Sequence, residues 1–126
     1  MSRRQSSRLI AIVDDDKSVQ SALQDLIESE GLSTLCFGSA EEFLASGVQD
    51  AAGCLIANIR MPGISGIELQ SRLKADRCRI PIIFITAHGD PEMRAQAIRD
   101  GAVEFLTKPC DNTGLLETVH AAIELR

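Results

Sequence analysis

Residues 8–16, Arg-Leu-Ile-Ala-Ile-Val-Asp-Asp-Asp (RLIAIVDDD), run through five consecutive apolar side chains and stop at three carboxylates. A run this short and uniformly apolar reads as a strand buried on both faces, ending where charge must reach water. From Asp16 onward the period changes. Val19, Ala22, Leu23, Leu26 and Ile27 fall at i, i+3, i+4, i+7 and i+8, one stripe of an amphipathic helix. Gly31 suits the position just past its end, where a left-handed backbone costs glycine nothing.

The same alternation continues down the chain. Ser33–Phe37 reads as a second strand, and Ser39 with Glu42 forms a capping box opening a helix that carries Phe43 and Leu44. Gly53–Asn58 is the third strand; Ile67, Leu69 and Leu73 mark the next helix, which fades in the polar stretch 74–79. Pro81–Thr86 (PIIFIT) is a fourth strand rich in β-branched residues. Asp90 and Pro91 supply an N-cap and a first-turn proline for a helix reaching about Asp100, with Gly101 beyond it. Val103–Leu106 is the fifth strand, and Asp111 caps a last helix striped by Leu115, Leu116, Val119, Ala122 and Ile123. Strands alternating with helices predict an α/β domain: one doubly wound parallel sheet with right-handed crossovers and five helices on its two faces.

A chain of 126 residues suits one domain, expected over 8–126 behind a basic arm, 1–7, that carries Arg3 and Arg4, with Arg8 next to it. A net charge of −5 argues against a nucleic-acid or anionic-membrane surface, and the absence of Trp and Tyr removes stacking platforms for single strands. The apolar run 9–13 is too short for a secretory signal, and no stretch approaches a bilayer span, so a cytoplasmic location is expected. Cys36, Cys54, Cys78 and Cys110 show no C-x-x-C spacing; Cys36 and Cys54 lie in strand-like runs and read as small buried hydrophobes in a reducing compartment.

In sheets of this kind ligands bind beyond the carboxyl ends of the strands. The residues predicted there are Asp14, Asp15 and Asp16, then Asn58, Thr86 and Lys108. Clustered carboxylates suit Mg²⁺, which takes hard oxygen ligands and keeps waters that a phosphate can replace. A threonine hydroxyl and a lysine ammonium can hold phosphoryl oxygens. Each residue alone has a plainer role: aspartates cap helices, Thr ends strands, Lys sits in turns. Their joint placement at four strand ends is what argues for a site.

VDDD (13–16), RMPGISG (60–66), IIFITAHGD (82–90) and GAVEFLTKP (101–109) together resemble the receiver domain of a two-component response regulator, from Arg8 to Leu125. RMPGISG and TAHGD are most similar to regulators with a LuxR-type helix-turn-helix output. The resemblance implies a flavodoxin-like strand order 2-1-3-4-5. It implies Mg²⁺ held by Asp15 directly and Asp14 largely through water, with the residue 58 side chain and the Arg60 carbonyl as further ligands. Thr86 and Lys108 would contact the phosphoryl group, and Phe105 would be the aromatic switch that turns inward when Thr86 moves. It implies a cis bond at Lys108–Pro109, a sensor histidine kinase as donor, a transcriptional output domain, and docking or homodimerisation through residues 91–125. The absence of a helix-turn-helix before Arg126 then reads as a fragment of a longer regulator, or as a stand-alone receiver.

One residue departs from the family. Position 58, where receivers carry the phosphate-accepting aspartate, is Asn58. A carboxamide oxygen is a poor neutral nucleophile, so phosphotransfer to residue 58 is expected to be absent and Mg²⁺ affinity reduced. Two accounts stand: an engineered acceptor-null form of a receiver with Asp there, or a naturally degenerate receiver acting as a phosphate-independent interaction module. A different class also matches VDDDKSV: a haloacid-dehalogenase-like phosphatase with Asp14 as nucleophile and Asp16 as general acid. That reading lacks a later aspartate pair and room for a cap. A flavodoxin-like cofactor binder fails on the acidic first turn, which has no phosphate cradle.

Overall fold

A computed structural model describes residues 8–87, 89–108 and 111–126; the basic arm, Pro109 with its expected cis bond, and Cys110 lie outside the described residues. The strands are β1 (Leu9–Val13), β2 (Ser33–Phe37), β3 (Cys54–Asn58), β4 (Ile82–Thr86) and β5 (Glu104–Thr107). Between and after them come the helices α1 (Lys17–Glu28), α2 (Ala40–Ser46), α3 (Gly66–Ala75), α4 (Pro91–Arg99) and α5 (Asn112–Ile123), with a short 3₁₀ turn at Val48–Asp50. The sheet is wholly parallel in the order β2-β1-β3-β4-β5, the doubly wound, flavodoxin-like arrangement. Pro81 precedes β4 instead of opening it, since it has no N–H for the ladder, but its carbonyl accepts from Leu55 N at 2.8 Å.

Side chains that alternate along each strand divide the core into two layers. Ala11, Val13, Leu55, Ala57, Phe84 and Phe105 pack with Phe43, Leu69, Leu73 and Ala97 from α2, α3 and α4. Ile10, Ile12, Ile56, Ile83 and Ile85 pack with Ile27 of α1 and Leu115, Val119 and Ala122 of α5. Each α-helix opens on a side-chain cap, from Asp16, Ser39, Ser65, Asp90 and Asp111 in turn. The Ser39 hydroxyl accepts from Glu42 N at 3.1 Å, but the Glu42 carboxylate accepts from Gly38 N, one residue beyond the Ser39 N–H that would close a capping box.

Two core assignments change. Ala22, placed on the α1 stripe, is exposed, because the helix is turned toward the line of Gln20, Gln24 and Ile27. The amides on that line are used: Gln24 Nε2 donates to Thr34 Oγ1 at 3.1 Å. Cys36 is only half-buried, because β2 is an edge strand, whereas burial of Cys54 pushes its thiol up to about 12. Among the described residues no helix is long and apolar enough to cross a membrane.

Candidate functional site

The carboxyl ends of β1 and β3 are neighbours. Val13 pairs with Ala57, so Asp14 follows level with Asn58. Asp14 is 3% exposed, and its backbone N–H donates to the Phe37 carbonyl at 3.0 Å. Its side chain accepts from Asp16 N at 2.9 Å on one oxygen and lies 3.6 Å from Lys108 Nζ on the other. β1 and β5 stand three strand spacings apart, about 14 Å, so the turn after β5 and the long lysine side chain together close that gap. Burial pushes the Asp14 carboxyl above its ordinary range, with the Asp16 N–H and the Lys108 ammonium opposing it and Asp15 adding to it. Asp15 is exposed. Asp16 caps α1, accepting from Ser18 N at 2.9 Å, Ser18 Oγ at 2.6 Å and Val19 N at 3.4 Å, and these bonds hold its carboxyl below the usual range. A cap so engaged gives no geometric support to Asp16 as a general acid.

At the end of β3, Asn58 donates from Nδ2 to the Arg60 carbonyl at 3.0 Å. Two oxygens cannot share a hydrogen there, so the chemistry of the pair fixes which end of the amide faces Arg60. The following loop closes on itself. Gly66 N donates to the Ile59 carbonyl at 2.8 Å, Ile64 N to Glu41 Oε2 at 3.3 Å, and Met61 is buried. A Cβ on Gly66 would run into the Asn58 carbonyl oxygen and stand 3.0 Å from Ile59 Cα, which accounts for the final glycine of RMPGISG.

Thr86 is buried, and its carbonyl accepts from Lys108 N at 2.8 Å. Phe84 pairs with Phe105 and Thr86 with Thr107, so Thr86 and Phe105 share a face of the sheet. Phe105 is 4% exposed and lies tilted against Phe84, ring centroids 6.4 Å apart. The ring expected to turn inward is already inside; phenylalanine has no hydroxyl to draw it toward water.

Residues 10–120 match the family described as the response regulator receiver domain. The chain belongs to that family. Similar proteins include the response regulator protein TodT of Pseudomonas putida, 48% identical over 93% of the chain and 52% of TodT. The transcriptional regulatory protein FixJ of Azorhizobium caulinodans is 39% identical over 90% of the chain and 54% of that protein. Among solved structures, the response regulator StyR superposes with a TM-score of 0.87 at 44% identity, covering 93% of the chain and 59% of StyR. The FixJ N-terminal domain gives 0.83 at 36% identity, covering 92% and 93%. The receiver thus spans about half the length of the curated relatives it matches.

Receiver domains generally bind Mg²⁺ at their phosphorylation site; the ligands expected for it here are Asp14, Asp15, the Asn58 side chain and the Arg60 carbonyl. The donor set here is one anionic oxygen short for a resident cation, because Asn58 is neutral. Among the described residues no three His, Cys, Asp or Glu side chains are grouped to hold a metal. One Asp14 oxygen accepts from the neutral Asp16 N–H and the other faces the Lys108 ammonium. The Arg60 carbonyl accepts the Asn58 N–H on one of its two lone pairs.

Three supporting residues escaped the sequence reading. Gln20 Nε2 donates to the Asp14 carbonyl at 2.6 Å and reaches the Phe37 carbonyl at 3.4 Å, fastening the ends of β1 and β2. Glu41 anchors the loop after β3. Gln70, 3% exposed, donates to the Ala97 carbonyl at 3.0 Å, joining α3 to α4. Gln70 carried a signal, a polar residue between Leu69 and Leu73 on the buried side of α3.

Proposed function

We propose that this receiver is the regulatory domain of a two-component transcriptional regulator whose acceptor position cannot take phosphate. The observation that carries the reading is the convergence of Lys108 on Asp14, 3.6 Å apart, at the rim where β3 delivers Asn58 and β4 delivers Thr86. In the Asn58→Asp variant the carboxylate oxygen attacks the phosphorus of a kinase phosphohistidine. An O–P bond forms, the P–N bond breaks, and the nitrogen recovers its electron pair. Lys108 and Thr86 then hold the transferred oxygens. Asn58 has no carboxylate to attack with, so the kinase encounter leaves residue 58 unmodified, and the cation binds more weakly than in Asn58→Asp. The similarity to TodT and FixJ supports a transcriptional output, of LuxR type by the RMPGISG signature, reached through residues 91–125 by docking or homodimerisation.

A second reading is a phosphate-independent interaction module, which the neutral amide at position 58 favours. Incubation with acetyl phosphate and Mg²⁺, followed by intact mass, tests the assignment. A phosphate adduct is expected on Asn58→Asp and none on the parent. Equal adducts on both would move the acceptor to Asp14 or Asp15.

A further inference from the structure

We infer that the Asn58 amide nitrogen replaces the cation at the Arg60 carbonyl, holding the β3–α3 loop in place without any metal. The inference rests on the receiver reading and concerns how this chain's own site is regulated. An amide N–H carries partial positive charge and here points at the carbonyl from 3.0 Å, a distance suited to a neutral hydrogen bond. A carboxylate in the same place would set a charged oxygen against the carbonyl oxygen, two acceptors with nothing between them. An aspartate form therefore needs a bound cation, a side chain turned off the carbonyl or an opened loop. Only the first keeps the loop tied at Arg60, whereas the asparagine form keeps that tie with no cation. The rest of the loop is built to profit from the contact. Gly66 N on the Ile59 carbonyl, Ile64 N on Glu41 and buried Met61 all involve residues within eight of Asn58 in sequence, and the first of these bonds is made to the residue between Asn58 and Arg60. The substitution thus changes the dependence of the loop on metal as well as removing a nucleophile.

Hydrogen exchange at the Ile64 and Gly66 amides tests this in the full chain, with chelator and then with saturating magnesium chloride. The parent is expected to show the same protection in both conditions. Asn58→Asp should lose protection by about two- to tenfold in chelator, the worth of one net hydrogen bond, and regain it with magnesium. Asn58→Leu, close in size but without a donor, should lose a similar factor and not regain it. Exchange at β1 amides in the same samples reports whether each variant is folded. A parent whose loop protection climbs with magnesium, or an Asn58→Leu loop as protected as the parent's, overturns the inference whatever acetyl phosphate does. Failure of Asn58→Asp to take up phosphate would count against the receiver reading alone.

Discussion

The two faces of the sheet are made of different material. All four phenylalanines, Phe37, Phe43, Phe84 and Phe105, lie on the side of α2, α3 and α4, together with Met61 and Met93. The side of α1 and α5 has none of these; its buried sheet residues are Ile10, Ile12, Ile56, Ile83 and Ile85 with Cys54. Isoleucine is restricted at its first side-chain torsion, so that layer has few ways to repack. Aromatic rings turn about two torsions, and methionine about three, against the small Ala11 and Ala57. Thr86, Phe105 and the loop after β3 are all attached to this second layer. The difference teaches that a sheet can be anchored on one side while adjustable parts collect on the other.

Phe84→Ala strikes the adjustable layer hardest. The ring is fully buried, so urea melts should show a loss of about 3–5 kcal/mol. A double-mutant cycle with Phe105→Ala should show coupling of about 0.5–1.5 kcal/mol; no coupling would mean that the two rings merely coexist. Asn58→Asp comes next. A third carboxylate beside Asp14 and Asp15 repels by about 4 kcal/mol per charge pair at 4 Å and an effective dielectric of 20, before water and counterions reduce it. The metal-free variant should be about 1–2 kcal/mol less stable than the parent, and equal urea midpoints would refute this. Ile83→Val, on the anchored layer, should cost only about 0.5–1.5 kcal/mol and leave exchange in the loop after β3 unchanged. A changed loop would show that the faces are not separate.

The smallest effect is a dependence on pH. Burial raises the Asp14 carboxyl above its ordinary value of 3.8, so the folded chain holds that proton more tightly than the unfolded chain does. Ionised Asp14 therefore weakens the fold at neutral pH, and the penalty fades as pH falls through the raised value toward 3.8. Asp16 acts oppositely: its lowered carboxyl supports the fold above 3.8 and loses that support as pH falls through the lowered value. Asp14→Asn should accordingly gain most over the parent near neutrality, with the gain shrinking on acidification. A constant offset between the two melting profiles across pH would contradict this origin.

Much of the architecture was legible from period and punctuation. The caps at Asp16, Ser39, Asp90 and Asp111 mark helix starts within a residue, because a side-chain acceptor for free N–H groups is a local requirement. The polar strand ends were legible for a related reason, since a buried apolar run has to terminate where polar groups can be satisfied. What resisted reading depends on tertiary placement. Nothing local to RLIAIVDDD says that Asp14 is buried and Asp15 exposed. Nothing local to GAVEFLTKP says that Phe105 already lies against Phe84. The direction of the Asn58 amide is set by a carbonyl two residues on, which its residue type alone does not reveal.

The ammonium of Lys108 serves two ends of the sheet. Resting against Asp14, it ties the last strand's exit to the first strand's tip, across both strands between them. With three N–H donors, the ammonium can turn toward a second anion without leaving the first. A change of charge at either strand's end is thus felt at the other through that shared cation.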